Sequence, residues 1–159
     1  MKNKSIQEIK KIIDLDFCNY SNNEILVIIA GPTGVGKSKF AFNLAQNING
    51  SIINADAIQV YRELKIMSAR PDTKLENMLD HYLYGFQCIN HYFSVGNWLN
   101  LVHKVLPKID KNNKIGILVG GSGLYINAAK YGITPVPNIE KNVKEDSKQL
   151  FEKIGINEF

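Results

Sequence analysis

The chain has 159 residues, of which 45% are hydrophobic and 21% charged, a balance that suits one packed domain and excludes global disorder. Its net charge of +4 fits an anionic partner without naming one. Cys18 and Cys88 form no CxxC unit and read as reduced, structural thiols. No apolar run reaches the roughly 18 residues of a membrane span, and the N-terminus lacks a secretory h-region, so a cytoplasmic location with no membrane partner is expected.

In chain order, residues 5–15 space Ile6, Ile9 and Ile13 as a short amphipathic helix, part of an N-terminal extension over 1–22. A core follows over 23–138. Its first strand is ILVIIA, 25–30, an apolar β-branched run suited to a parallel strand covered on both faces. A glycine-rich loop leads into a helix over 37–48, which Asn49-Gly50 ends. A second strand is SIINA, 51–55. Residues 72–81 read as helical with Asp72 as N-cap, and YGFQCI, 84–89, is ambiguous. Ser94 caps a helix from 95 to about 109. KIGILVGG is a third strand ending at Gly120, and SGLYINAAKY is a helix closed by Gly132. ITPVPN, 133–138, is an extended link, and 139–154 has a weak helical pattern. Alternation of strands and helices predicts an α/β fold with a parallel sheet and flanking helices.

The loop Gly31, Pro32, Thr33, Gly34, Val35, Gly36, Lys37, Ser38 matches GxxxxGK[ST], placed between a strand and a helix as the motif requires. Its glycines let backbone N–H groups turn towards phosphate oxygens, and the helix start adds its positive dipole end. Lys37 supplies a cation, and the Ser38 hydroxyl is a candidate ligand for Mg²⁺. NTP hydrolases usually add an apolar strand ending in a magnesium-holding Asp. Here IGILV ends in Gly120-Gly121-Ser122-Gly123 instead, which turns the reading from hydrolysis to transfer.

Functional groups of a doubly wound sheet gather at the carboxyl ends of its strands. The P-loop, Asp56 and the 120–122 loop are therefore expected around one crevice. Asp56 is a candidate general base or magnesium partner; the plainer alternative is a turn or N-cap carboxylate. The GGSG segment reads equally as an anion-binding turn or a tight strand-to-helix turn. Tyr61 and Arg62 could stack on a base and grip phosphate. His81, His91 and His103 have no metal-ligand spacing.

Three blocks stand together: GPTGVGKS, NADAIQVYRELKIMSARP and VGGSGLYINAAKYG. In content and order they resemble the tRNA dimethylallyltransferases, or tRNA isopentenyl transferases, and DHYL (80–83) and FSVGNW (93–98) add to the likeness. The resemblance spans about residues 25–145. It implies a P-loop NTPase-like fold and transfer of a dimethylallyl group from dimethylallyl diphosphate to the exocyclic amine (N6) of an adenosine beside the tRNA anticodon. By that resemblance the P-loop holds the donor's diphosphate with Mg²⁺ on Ser38. Lys37 stabilises the leaving diphosphate, and Asp56 takes the proton from the adenine amine. Asp56, Ala57, Ile58 and Gln59 contact the tRNA anticodon stem-loop. Arg62 and Lys144 are further tRNA-contacting residues, and Ser122 is a catalytic one contacting tRNA or diphosphate.

Departures from the pattern are Ala57, where Ser is common, and Arg70, where Lys is frequent. Members of that family are about twice as long, with a helical tRNA-gripping insertion and a return segment. Residues 139–159 correspond to the start of that insertion, so the family fold is expected to lack its C-terminal part here. Weak or absent transfer by this chain alone is expected, with apolar sheet edges left unpaired. An inactive or split-chain form, with a second chain supplying the missing half, is the alternative; a small P-loop kinase is a third, which leaves the QVYR and GGSGLY blocks without a role.

Overall fold

The structure is a computed structural model, and it describes residues 25–71, 73–134 and 139–156. The helix expected over 5–15, Asp72 as a cap, and most of the 133–138 link lie outside the described residues.

Four strands, β1 (Leu26–Ala30), β2 (Gly50–Asn54), β3 (His81–Tyr82) and β4 (Ile115–Gly120), form one sheet in the order β1-β4-β2-β3, all parallel. The helices are α1 (Lys37–Ile48), α2 (Thr73–Met78), α3 (Val95–Lys111), α4 (Gly123–Tyr131) and α5 (Lys141–Ile154), with a 3₁₀ turn at Arg62–Leu64. The expected parallel α/β sheet with flanking helices is what the chain forms, and no described helix is long and apolar enough to cross a membrane.

Strand residues alternate between two cores because successive side chains of a strand face opposite ways. Ile52, Ile117 and Val119 pack with Ala41, Leu44 and Ala45 of α1. Ile53 and Leu118 pack on the other face with Trp98, Val102, Val105 and Ile109 of α3 and Tyr125 of α4. Burial on both faces explains why these strands read as unbroken apolar runs. Each fully buried aliphatic side chain contributes about 1.5–3 kcal/mol.

The helix ends follow their local signals. Asn49 closes α1 in the left-handed region, its N–H bonding Ala45 O, and the Ser94 hydroxyl accepts the Asn97 N–H at 3.1 Å to start α3. One expectation needs correction, and one ambiguity is resolved. The helix read over 72–81 ends at Met78, because His81 and Tyr82 pair in parallel with Ile52 and Ile53 as β3. The ambiguous 84–89 segment is a loop fastened to the acid-bearing segment: Gly85 N–H bonds Gln59 O, and Gln87 N–H bonds Val60 O.

Among the described residues β1 has one neighbour, β4, and stands at the edge of the sheet with Ile28 36% exposed. It carries neither charge nor proline, the devices that usually blunt an edge. Helix α5 has no buried residue.

Candidate functional site

β1 and β2 both register on β4, pairing Ala30 with Gly120 and Asn54 with Val119. Their carboxyl ends are therefore flush, and the segments after them converge. The convergence requires a glycine at 120: a Cβ there would stand 2.0 Å from Ala55 O. Gly121 continues the approach, its Cβ position lying 3.2 Å from Gly31 O and 3.8 Å from Lys37 Nζ.

Thr33, Gly34, Gly36, Lys37, Ser38, Asp56, Gln59 and Gly120 line one cleft of about 320 Å³, and Lys39, Ser68, Ala69, Tyr84 and Val119 complete its lining. Gly34 and Gly36 turn the loop with φ of 81° and 95°, values a side chain would resist. Lys37 Nζ donates to Pro32 O at 2.7 Å, which leaves two ammonium hydrogens for an anion in the cleft.

Asp56 occupies a turn and a site at once. Its Oδ1 accepts the N–H of Ile58 at 2.9 Å and of Gln59 at 3.4 Å. The turn role considered from the sequence is real, and it fixes the carboxylate where it lines the cleft. Asn54, fully buried, builds that turn: its Oδ1 accepts the Asp56 N–H at 2.9 Å, and its Nδ2 donates to Asp56 O and Leu83 O at 3.0 Å. The Trp98 indole donates to Asn54 O at 2.9 Å and stacks on Tyr125, with ring centroids 4.4 Å apart. Burial pushes the Tyr125 phenol up to about 12, with Tyr61 and the Asp56 charge acting in the same direction.

Ser122 sits behind this segment. Its Oγ accepts the Ala57 N–H at 2.8 Å, and its own N–H donates to Ala55 O at 3.3 Å. Ser122 thus clamps the acid loop and does not line the cleft. Ala57 packs on the core, and Ile58 is exposed outside the cleft. Gln59 lines the cleft, with Nε2 donating to Ser68 O at 2.8 Å. The Arg62 guanidinium donates to Phe86 O at 2.8 Å, on the outer surface. Gly31, Pro32 and Val35 complete the loop without lining the cleft. Lys144 lies exposed on α5 and does not line the cleft.

Asn54, Tyr84 and Trp98 escaped the sequence reading as site residues. For Asn54 a signal existed: a lone amide closing an apolar strand one residue before Ala55-Asp56. Among the described residues no three His, Cys, Asp or Glu gather as a metal cage. Ser38 and Asp56 bring one hydroxyl and one carboxylate to the same cleft. That sparse oxygen set fits magnesium, which takes few protein ligands and completes its shell with water and phosphate oxygens.

The model of the family described as IPP transferase matches residues 59–158. The chain belongs to the IPP transferase family. It is 42% identical over 134 residues to a tRNA dimethylallyltransferase of Pelagibacter ubique, covering 84% of this chain and 43% of that protein. A second tRNA dimethylallyltransferase, from Ehrlichia chaffeensis, is 37% identical over 134 residues, covering 84% and 44%. Among solved structures, the tRNA isopentenylpyrophosphate transferase of Bacillus halodurans aligns with a TM-score of 0.67 at 29% identity, over 83% of this chain and 44% of that one. A eukaryotic dimethylallyltransferase described as acting on tRNA aligns with a TM-score of 0.66 at 26% identity, over 80% and 31%. The chain spans less than half the length of these members of the IPP transferase family.

Proposed function

We propose that this chain carries the donor-binding and proton-accepting site of a tRNA dimethylallyltransferase. The observation behind the reading is the single cleft in which the P-loop, Asp56 and Gly120 meet. In the proposed reaction the exocyclic N6 of an adenosine beside the tRNA anticodon attacks C1 of dimethylallyl diphosphate. The C1–O bond breaks, the diphosphate leaves with the electron pair, and the N6 proton passes to the Asp56 carboxylate. Loop N–H groups and Lys37 stabilise the charge that grows on the leaving diphosphate. A bound Mg²⁺, held by Ser38 and by phosphate oxygens, would add charge neutralisation there. The adenine must leave its stack to reach Asp56, and Gln59 beside it is the candidate for reading the flipped base.

The length difference from the relatives bears on the acceptor side. The P-loop and Asp56 lie within the described core, while Arg62 and Lys144, the expected basic tRNA contacts, are exposed and do not line the cleft. Our reading is that the chain holds the donor by itself and transfers to tRNA efficiently only when a further polypeptide, in a second chain or a longer one, grips the anticodon stem-loop. The test is calorimetric titration with dimethylallyl diphosphate, inorganic diphosphate and ATP, with and without tRNA. Binding of the prenyl ester at least as tight as that of ATP is expected. A clear preference for ATP, with phosphorylation of an alcohol acceptor, would replace this reading with that of a kinase.

A further inference from the structure

Behind the cleft lies a second cavity of about 670 Å³. Both volumes fall in the range of roughly 300–1,000 Å³ usual for small-molecule sites. Ser38, Lys39, Ala69 and Tyr84 line both, so the two cavities share a wall. Their linings differ in chemistry. The first presents loop N–H groups, Lys37, Asp56 and Gln59. The second presents mainly carbon: Phe42 of α1, Ile52 of β2, Pro71, Leu75 of α2 and the ring of Tyr84. Among its polar members, His81 Nδ1 meets Leu79 O at 2.8 Å and Arg70 Nη1 reaches Tyr61 O at 3.5 Å, while Arg70 Nε is buried without a partner.

Tyr84 is the bulkiest element of the shared wall. Its ring meets His81 edge-on at 5.8 Å and packs against the α1 core. Burial holds its phenol protonated, and the charges of Asp56 and Glu76 act in the same direction. Because it lines both cavities, the ring stands in the wall between them.

Resting on the prenyl-donor reading above, we propose that the Tyr84 ring sets the length of the allylic chain the site accepts. A dimethylallyl group ends against the ring. A chain one isoprene unit longer has to pass it, and the carbon-lined cavity beyond is the space it would fill. Removing the ring joins the cavities and gives the added methylenes an apolar lining, worth about tenfold in affinity for every two methylenes buried.

The experiment titrates inorganic diphosphate, dimethylallyl diphosphate and geranyl diphosphate into the wild-type chain and variants. The wild type is expected to favour the dimethylallyl ester over the geranyl ester. Tyr84→Phe keeps the ring and should keep that ratio. Tyr84→Ala should move it at least about tenfold towards the geranyl ester. Adding Phe42→Trp to Tyr84→Ala refills the second cavity and should move the ratio back. Tyr84→Leu, which keeps an apolar side chain against His81, serves if the alanine variant no longer binds inorganic diphosphate. An unchanged ratio in the ring-less variants, with dimethylallyl diphosphate still bound, overturns the role of Tyr84 and leaves the donor reading standing. Equal wild-type affinity for the two esters does the same. Binding of inorganic diphosphate but of neither ester overturns both.

Discussion

Gly120→Ala tests the idea that the two halves of the site are held together by backbone proximity. The new Cβ would lie 2.0 Å from Ala55 O, whereas ordinary contact begins near 3.4 Å, so the end of β2 must retreat by 3.4 minus 2.0, or 1.4 Å. A flexible side chain could yield at little cost; a carbonyl within a strand end cannot. Two hydrogen bonds stand in the path of that retreat, Ala55 N–H to Val119 O at 2.8 Å and Ser122 N–H to Ala55 O at 3.3 Å. Losing them at about 1 kcal/mol each, with about 1–3 kcal/mol for the forced shift, gives a destabilisation of about 3–5 kcal/mol. The same displacement carries Asp56 away from the P-loop, so transfer should suffer more than diphosphate binding. Urea unfolding with parallel titration of inorganic diphosphate measures both. A variant as stable as the wild type, with unaltered affinity and transfer, would refute the claim that this contact spaces the site.

Four further outcomes are expected. Lys37→Ala should abolish measurable diphosphate binding by calorimetry; equal affinity would remove the diphosphate from the P-loop. Asp56→Ala should leave donor affinity intact and remove whatever transfer the wild-type chain shows, followed by mass analysis of digested tRNA nucleosides, and should cost about 1 kcal/mol of stability through its lost turn bonds. Ser122→Ala should lower stability by about 1–2 kcal/mol by orphaning the Ala57 N–H, with little change in donor affinity; a large loss of affinity would restore a direct contact role. Alkaline pH should destabilise the fold. The Tyr125 phenol is raised to about 12 when folded, so its contribution is complete below the unfolded value near 10 and is lost as pH rises through that window. Tyr125→Phe should flatten that part of the profile, read by circular dichroism with tyrosinate absorbance.

What was legible from the sequence divides by range. The P-loop is a local device, so its spacing, strand and helix suffice to find it, and α1 and the Ser94 cap follow from neighbours within four residues. Asp56 needs one further step, the rule that strand ends of a parallel sheet share an edge, and that step places it in the cleft. Beyond that, local reading runs out. β3 is two residues long and exists because His81 and Tyr82 find β2, which no pattern within 81–82 announces. Asn54 acts through Leu83 and Trp98, partners 29 and 44 residues away. Tyr84 lies in a segment whose periodicity fits neither helix nor strand. Ser122 was found through resemblance, but its hydroxyl faces inward to Ala57, because β4 delivers it against the back of the acid loop.

The sheet order has a consequence for how such a site can change over time. β1 and β2 carry the phosphate loop and the acid, yet they do not touch; β4 lies between them and acts as a gauge block between two jaws. The jaw opening is then two strand spacings, about 9.5 Å, a length set by backbone hydrogen bonding. β4 itself, IGILVG, brings only the apolar Val119 and the terminal Gly120 to the cleft and no polar side chain. Its residues can drift among apolar types, altering how firmly the block is held, while the gap it measures stays the same. Only a slip of register, about 3.3 Å per residue, would re-space the jaws, and it would also turn every side chain of the strand to the wrong face.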